Sequence, residues 1–305
     1  MGVSAAAPAH ARGLGLSYGL KNDVSNQKEK AEKLRVLHQT ARPLVLVNAW
    51  DVVSARIIED LGFPAVATTS AGVAWAEGFP DGERISRDHM LARVKRMAQA
   101  VRVPLTADLE GGYGYTVRDA EATAHGAIEA GAVGLNFEDA HPKEISLIDV
   151  ELQTARIAAI REVATKLNVP LVINARTDVY LASIGDNDAW RLQESIRRGN
   201  EYLRAGADVV FVPGVTDEPT IAELVSGIGG PLNVLAGATS PSIERLRDLG
   251  VARVSLGSGA MGYALARFRD VAASLRRGGS FEFVGQRIPH AEVNAILNNV
   301  KTATE

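Results

Sequence analysis

The sequence predicts a (β/α)8 barrel, and three observations carry that reading. Apolar, β-branched runs recur along the chain, too continuous for half-exposed strands and suited to a parallel sheet covered on both faces. Amphipathic stretches of helical length separate these runs. Four phrases repeat one pattern of helix end, glycine and buried run: "EDLGFPAVA" from Glu59, "IEAGAVGLN" from Ile128, "LRAGADVVF" from Leu203 and "RDLGVARVS" from Arg247. The glycines at 62, 131, 206 and 250 suit the left-handed position that closes a helix. Eight strands alternating with eight helices over roughly 250 residues is the arithmetic of this α/β fold. A doubly wound open sheet would normally carry a glycine-rich phosphate loop after its first strand, and "NAWDVVSAR" offers none.

The elements follow in order. Residues 1–25 are rich in small residues and lack a signal-peptide core, so they are expected to form a disordered tail. Residues 26–305 are expected to form one barrel domain with its terminal helices, because no linker interrupts the alternation. "SNQKEKAEKLRVLH" reads as an extra N-terminal helix. Strands are expected near 44–49, 65–70, 105–110, 133–138, 171–177, 209–213, 232–236 and 253–257. "RDHMLARVKRMAQAV" and "VELQTARIAAIREVATKL" are two of the intervening helices. Beyond the break "RRGGS" at 276–280, "IPHAEVNAILNNV" reads as a C-terminal helix.

Composition narrows the function. Of 305 residues, 46% are hydrophobic and 23% charged, a soluble globular profile. The net charge of −3, from 33 Lys+Arg against 36 Asp+Glu, gives no electrostatic case for nucleic acid. No apolar run approaches the roughly 20 residues of a membrane span. Cys is 0, which rules out disulfides, thiolate metal sites and a cysteine nucleophile or acid. A cytoplasmic location is expected.

Active sites of this fold gather at the C-terminal ends of the strands, and polar residues do cluster there. The first strand ends in Asn48, Trp50 and Asp51, and the second in Thr68, Thr69 and Ser70. Asp108 and Glu110 end the third, Glu138 and Asp139 the fourth, and Asn174, Arg176 and Asp178 the fifth. Asn233 lies on the seventh, and Ser255 and Ser258 flank the end of the eighth. Asp51 and Asp139 could equally be helix N-caps. His125 and His141 share no metal-binding spacing and read as incidental.

"ADLEGGYG" poses the sharpest question. In an extended strand, residues i and i+2 face one side, so Asp108 and Glu110 would aim at one place and repel. A bound cation removes the conflict. Three acids on adjacent strands, Asp108, Glu110 and Glu138, are hard oxygen donors suited to Mg²⁺ or Mn²⁺. Trp50 and Asn233 are expected among the substrate contacts.

"ATTSAGVAWAEGFPDGE", "TADLEGGYG", "GLNFEDA", "VINARTDVYL" and "NVLAGATSPSIERLRDLGVARVSLG" resemble, in order and spacing, the isocitrate lyase/phosphoenolpyruvate mutase superfamily over residues 40–275. The resemblance implies chemistry on 2-oxo acids or their enol phosphates through a Mg²⁺-bound enolate. It also implies exchange of the last barrel helix with a neighbouring subunit, giving a homodimer or homotetramer. The family's metal motif D-A-D-x-G-[FY]-G falls with its two Asp on Asp108 and Glu110, the second lengthened by one methylene. "ED" places a further metal carboxylate at Glu138, and "PD" a catalytic acid at Asp81. The turn that holds the substrate carboxylate falls on Thr69, Ser70, Ala71 and Gly72, with Thr69 or Ser70 in the serine role. The strand-five arginine is Arg176, a catalytic and substrate-binding candidate with Glu110 and Asp81.

The departures refine the expectation. Isocitrate and methylisocitrate lyases carry a K-[KR]-C-G-H loop whose cysteine is the acid/base, whereas here the loop reads "EDAHPKEISLIDVE". The mutase's longer loop with its asparagine is missing too. What remains is a cation, a carboxylate pocket and an arginine. The expected activity is a Mg²⁺-dependent lyase or hydrolase that cleaves a C–C or C–P bond beside the keto group of a small 2-oxo acid, like oxaloacetate decarboxylase or phosphonopyruvate hydrolase. Departing CO₂ would need no acid. The alternatives are phosphonate chemistry of the mutase type, condensation, or a barrel that binds a 2-oxo acid without turnover.

Overall fold

A computed structural model describes residues 24–141 and 144–298. The expected tail at 1–25 lies almost wholly outside these residues. Among them the barrel wall is built from β1 (Leu44–Leu46), β2 (Asn48–Ala49), β3 (Val66–Thr68), β4 (Leu105–Asp108), β5 (Gly134–Glu138), β6 (Val172–Arg176), β7 (Val209–Phe211), β8 (Leu232–Leu235) and β9 (Arg253–Ser255). All neighbours pair in parallel, in the order β1-β9-β8-β7-β6-β5-β4-β3-β2. The predicted first strand, 44–49, is thus two strands. Leu44–Leu46 pairs with β9, and Asn48–Ala49 turns to pair with β3. One run of chain closes the barrel by changing partners at Val47.

Asn48 fastens that seam. Its amide donates to the Thr68 carbonyl at 2.7 Å, and its Oδ1 accepts the Leu256 and Gly257 N–H groups at 3.0 Å. An amide suits the task because it both donates and accepts. Each remaining strand lies inside its predicted run, and all but β5, which ends at Glu138 as predicted, stop sooner, where the chain turns into a cap or loop. Ser70, expected at a strand end, instead opens a helix.

The helices that position the site are α1 (Val24–Leu37), α2 (Val52–Asp60), α3 (Ser70–Ala76), α4 (Arg87–Ala100), α5 (Val117–Glu129), α6 (Val150–Lys166) and α7 (Asp188–Arg204). They are followed by α8 (Glu218–Gly227), α9 (Ile243–Asp248), α10 (Gly259–Arg276), a 3-10 turn at Glu282–Gln286 and α11 (His290–Asn298). The four glycines that close α2, α5, α7 and α9 do have positive φ, from 85° at Gly62 to 112° at Gly206. The expected extra N-terminal helix, α1, plugs the N-terminal end of the barrel. Gln27 donates to the Ile128 and Ala132 carbonyls, and Arg35 pairs with Asp208. Leu34 packs so close to Gly134 that a Cβ there would sit 2.8 Å from its Cδ2. That plug leaves the other end of the barrel as the open mouth.

The core is aliphatic and continuous around the wall, from Leu46 and Ala67 through Leu135 and Ile173 to Val210 and Val254. The C-terminal segment behaves differently. On α10 only Met261 is buried, while Tyr263, Leu265 and Phe268 are exposed. The chain then returns, and Arg56 of α2 donates from Nε and Nη2 to the Ile296 carbonyl, fastening α11 to the barrel. No helix of the described residues is long and apolar enough to cross a membrane.

Candidate active site

Parallel strands deliver all their C-terminal ends to one rim, and the acids meet there. Asp108 ends β4 with its N–H bonded to Thr68 Oγ1 at 2.8 Å. Its Oδ2 accepts both the N–H and the hydroxyl of Ser70 at 2.9 Å, and its Oδ1 accepts the Asn136 amide at 3.2 Å. Those three donors keep a buried carboxylate satisfied.

Glu110 reaches the site by a route the i, i+2 argument did not foresee. The strand stops at Asp108, Leu109 turns into the core, and Glu110 takes a left-handed φ of 51°. Pleat geometry therefore does not align the two acids; a turn does. Glu110 Oε2 accepts the Glu83 N–H at 2.7 Å, and Glu83 Oε1 accepts the Tyr113 N–H at 2.7 Å. Glu83 and Tyr113 are left-handed too, with φ of 56° and 60°. Three such non-glycine residues interlocked at one mouth are local strain held by the surrounding fold. Burial, then the charges of Asp81 and Asp108, push the Glu110 carboxyl up to about 8. Asp81 stands on the exposed lip of the preceding loop. Partial burial and Asp108 raise its pKa as well, and its exposure lets solvent screen much of that effect.

Across the mouth, Glu138 ends β5 and Arg176 ends β6, paired in register. Arg176 Nη1 lies 2.7 Å from Glu138 Oε2, while Nε and Nη2 grip both oxygens of Asp178 at 2.5 and 2.8 Å. Its face also lies 5.9 Å from the Phe211 ring centroid. Burial works against the charge on Arg176, but Glu138, Asp178 and Asp108 override it and hold the proton more firmly than usual. A guanidinium has five N–H donors; the three bonds to acids leave part of the fork for another oxyanion. Burial pushes Glu138 up, with Arg176 countering it.

Asp178 is itself held by the chain below. Its N–H donates to Asp139 Oδ1 at 2.9 Å, and Asp139 Oδ2 accepts from the Tyr202 hydroxyl at 2.5 Å and Arg198 Nη1 at 3.1 Å. Asp139 is therefore no N-cap; Asp149 caps the next helix. Asp51 is the N-cap, in a capping box with Ser54.

The remaining sequence candidates divide. Thr69 caps α3 through Oγ1 to the Gly72 N–H, so the hydroxyl that faces Asp108 is Ser70's. Ala71 and Gly72 begin α3 beside it. A Cβ on Gly72 would stand 2.6 Å from Thr69 Cγ2 and 2.9 Å from Trp50 Cβ, so Trp50 packs directly on the start of α3. Asn233 is fully buried on β8, in register with Phe211 and through it with Arg176, and lies 3.2 Å from Ser255 Oγ. His141 stacks on Tyr115 at 4.8 Å between ring centroids.

Sequence reasoning passed over three residues. Glu83 hooks the Asp81 loop to the Glu110 turn, and no local signal marks it. Asn136 and Arg253 lie inside the barrel, where a polar residue within an apolar run was the available signal. Arg253 sits in "VARVSLG" much as Arg176 sits in "VINARTD".

Among the described residues no three His, Asp or Glu side chains are arranged to hold an ion by themselves. The donor chemistry nonetheless fits Mg²⁺ or Mn²⁺: Asp108, Glu110 and Glu138 offer only oxygen, and Glu110 is pushed toward holding a proton where a cation would relieve the same repulsion. Mg²⁺ keeps several of its waters and needs few direct carboxylates, which suits acids spread around a mouth.

The phosphoenolpyruvate phosphomutase family model matches residues 34–276. An uncharacterized protein of Mycobacterium tuberculosis is 35% identical over 269 residues, covering 88% of this chain and 97% of that protein. A Burkholderia cenocepacia crystal structure, described as a lyase/mutase, superposes with a TM-score of 0.82 at 36% identity, covering 89% of this chain and 96% of the other. Oxaloacetate acetylhydrolase bound to 3,3-difluorooxalacetate gives a TM-score of 0.78 at 25% identity, covering 88% and 93%. Phosphonopyruvate hydrolase with oxalate and Mg²⁺ gives 0.78 at 25% identity, covering 88% and 95%.

Proposed function

This chain belongs to the phosphoenolpyruvate phosphomutase family, within the isocitrate lyase/phosphoenolpyruvate mutase superfamily, and on that premise we propose that it is a Mg²⁺- or Mn²⁺-dependent enzyme cleaving a C–C bond beside the keto group of a small 2-oxo diacid. The observation that carries this reading is the single mouth where Asp81, Asp108, Glu110 and Glu138 meet the partly free guanidinium of Arg176. The likeness to oxaloacetate acetylhydrolase and phosphonopyruvate hydrolase supports it.

Asp108, Glu110 and Glu138 would hold the ion, with waters completing its shell. When bound, it supplies Lewis-acid stabilisation of the negative charge that develops on the keto oxygen. The chain's own residues do the rest. Arg176 uses its remaining N–H groups to bind the substrate carboxylate, with Asp178 fixing the plane of the fork. Trp50 and the start of α3 wall the opposite side. In a decarboxylation the C3–C4 bond breaks, its electrons remain on the 2-oxo acid as an enolate, and CO₂ leaves without needing a proton. Asp81, on the solvent lip with a raised pKa, returns a proton to the enolate carbon or orients a water for hydrolysis. C–P cleavage by the same site is the alternative chemistry.

A second reading, binding without turnover, is favoured by the loop after β5. Its described residues are tied to one another by an Ala140–Leu147 bridge and a His141 N–H to Ser146 carbonyl bond, and the loop is short for a closing lid. The exposed Tyr263, Leu265 and Phe268 of α10 fit exchange of this helix with a second copy, giving a homodimer or homotetramer in the cytoplasm. Pyruvate release from a panel of 2-oxo acids, with and without Mg²⁺, tests the proposal. Metal-dependent release from oxaloacetate or phosphonopyruvate supports it; substrate binding without release from any member would leave only the second reading.

A further inference from the structure

Arg253 begins β9 with its side chain fully buried in the barrel interior, yet among the described residues no carboxylate touches it, and Asp108 acts on it only at a distance. Its Nε lies 3.2 Å from Ser255 Oγ, its Nη2 is 3.3 Å from Asn136 Oδ1, and its Nη1 has no hydrogen-bond partner among the described residues. A buried charge without a counter-ion in contact is costly, and an apolar side chain of the same length would fill the space more cheaply. Something other than packing calls for a cation here.

Asn136 shows what that is. Its carbonyl accepts from Arg253 and from Asn174 Nδ2, at 3.3 and 2.6 Å, while its NH₂ donates to Asp108 Oδ1 at 3.2 Å. A guanidinium only donates and a carboxylate only accepts. With Arg253 below and Asp108 above, the Asn136 amide has a single orientation, its nitrogen toward the acid. Asp108 has about four lone-pair sites. Ser70 fills both on Oδ2, and Asn136 fills one on Oδ1. One site on Oδ1 remains, and its direction follows from where Asn136 sits.

We propose that Arg253 is a positioning residue which, through the Asn136 amide, fixes the orientation of the Asp108 carboxylate and aims its one remaining lone pair at the divalent cation. The inference rests on the metal site proposed above and extends it to a second layer inside the barrel. Arg253 touches neither the cation nor the substrate. Its charge reaches the mouth across a neutral amide, so a residue at the barrel's centre governs an ion at its rim.

The experiment is a Mn²⁺ titration, followed by calorimetry and by the paramagnetic resonance of free Mn²⁺, on the full chain and on Arg253→Met and Arg253→Lys. Wild type is expected to bind Mn²⁺, and the methionine variant to bind it at least tenfold more weakly. The melting temperature of the metal-free methionine variant should be unchanged or higher, because an unpaired buried charge has gone. Lysine, which keeps the charge and can still donate to Asn136, should recover part of the affinity. If Arg253→Met does not fold, Arg253→Lys carries the comparison, with an expected loss smaller than tenfold but measurable. A methionine variant that binds Mn²⁺ like wild type, or a lysine variant that does so where the methionine variant does not fold, overturns the proposal and returns Arg253 to the scaffold. If wild type binds no Mn²⁺, the metal reading itself fails. The relay is then decided by the Asn136 side-chain NH₂ resonances, which shift and exchange faster in Arg253→Met if the guanidinium orients the amide, and stay put if it does not.

Discussion

Replacing Glu110 with glutamine should make the metal-free protein more stable at alkaline pH. Glu110 is 5% exposed, and burial with Asp81 and Asp108 raises its carboxyl from 4.5 to about 8. In the unfolded chain the group ionises near 4.5; in the folded protein it keeps its proton until about 8. Between those values the folded state binds more protons than the unfolded one, so stability falls as pH rises and the loss is complete above about pH 8. At about 1.4 kcal/mol per pKa unit, the displacement amounts to on the order of 5 kcal/mol, reduced where water or side-chain relaxation reaches the site. Glutamine keeps an oxygen to accept the Glu83 N–H but never ionises. In urea unfolding with EDTA present, Glu110→Gln should match wild type near pH 4.5 and exceed it by at least about 2 kcal/mol at pH 9. Asp81 and Glu138 also titrate upward, so the difference between variant and wild type is the quantity to follow, not the slope of wild type alone. Two curves that run parallel from pH 4.5 to 9 would refute the reasoning, because the acids would then not be crowded into one poorly solvated place.

Millimolar Mg²⁺ or Mn²⁺ should raise the melting temperature, since a ligand of the native state stabilises it by mass action, and Asp108→Asn should remove most of that gain. Thermal melts at several metal concentrations check this, and a flat response in wild type would count heavily against the site. Arg176→Lys should fold with near-normal stability, because a charge still sits between Glu138 and Asp178, but it loses the planar fork. Steady-state kinetics should show a loss of roughly 1.5–3 kcal/mol in transition-state binding; unimpaired turnover would make Arg176 part of the scaffold.

Much of this protein was legible because barrels are written locally. A buried parallel strand announces itself by an unbroken apolar run, and the turn after each helix by a glycine, at 62, 131, 206 and 250, that can take positive φ. The rim acids could be located for the same reason: once a strand is placed, its C-terminal end is placed, and Asp108, Glu138 and Arg176 fall there.

Partner choice was not legible, because it depends on residues far along the chain. Asp51 and Asp139 carry the same signal, an acid after a strand. One became a helix cap because Ser54 lies three residues on. The other became a buried hub because Arg198 and Tyr202 reach it from α7, 59 and 63 residues later. The first strand's change of partner at Val47, the left-handed turn that swings Glu110 toward Asp108, and the unpaired Arg253 behind Asn136 are likewise consequences of closing the barrel. Propensity and periodicity act over a few neighbours and determined which segments are strands and helices. Ring closure acts over the whole chain, and it alone decided which charges face one another and which are left without a partner.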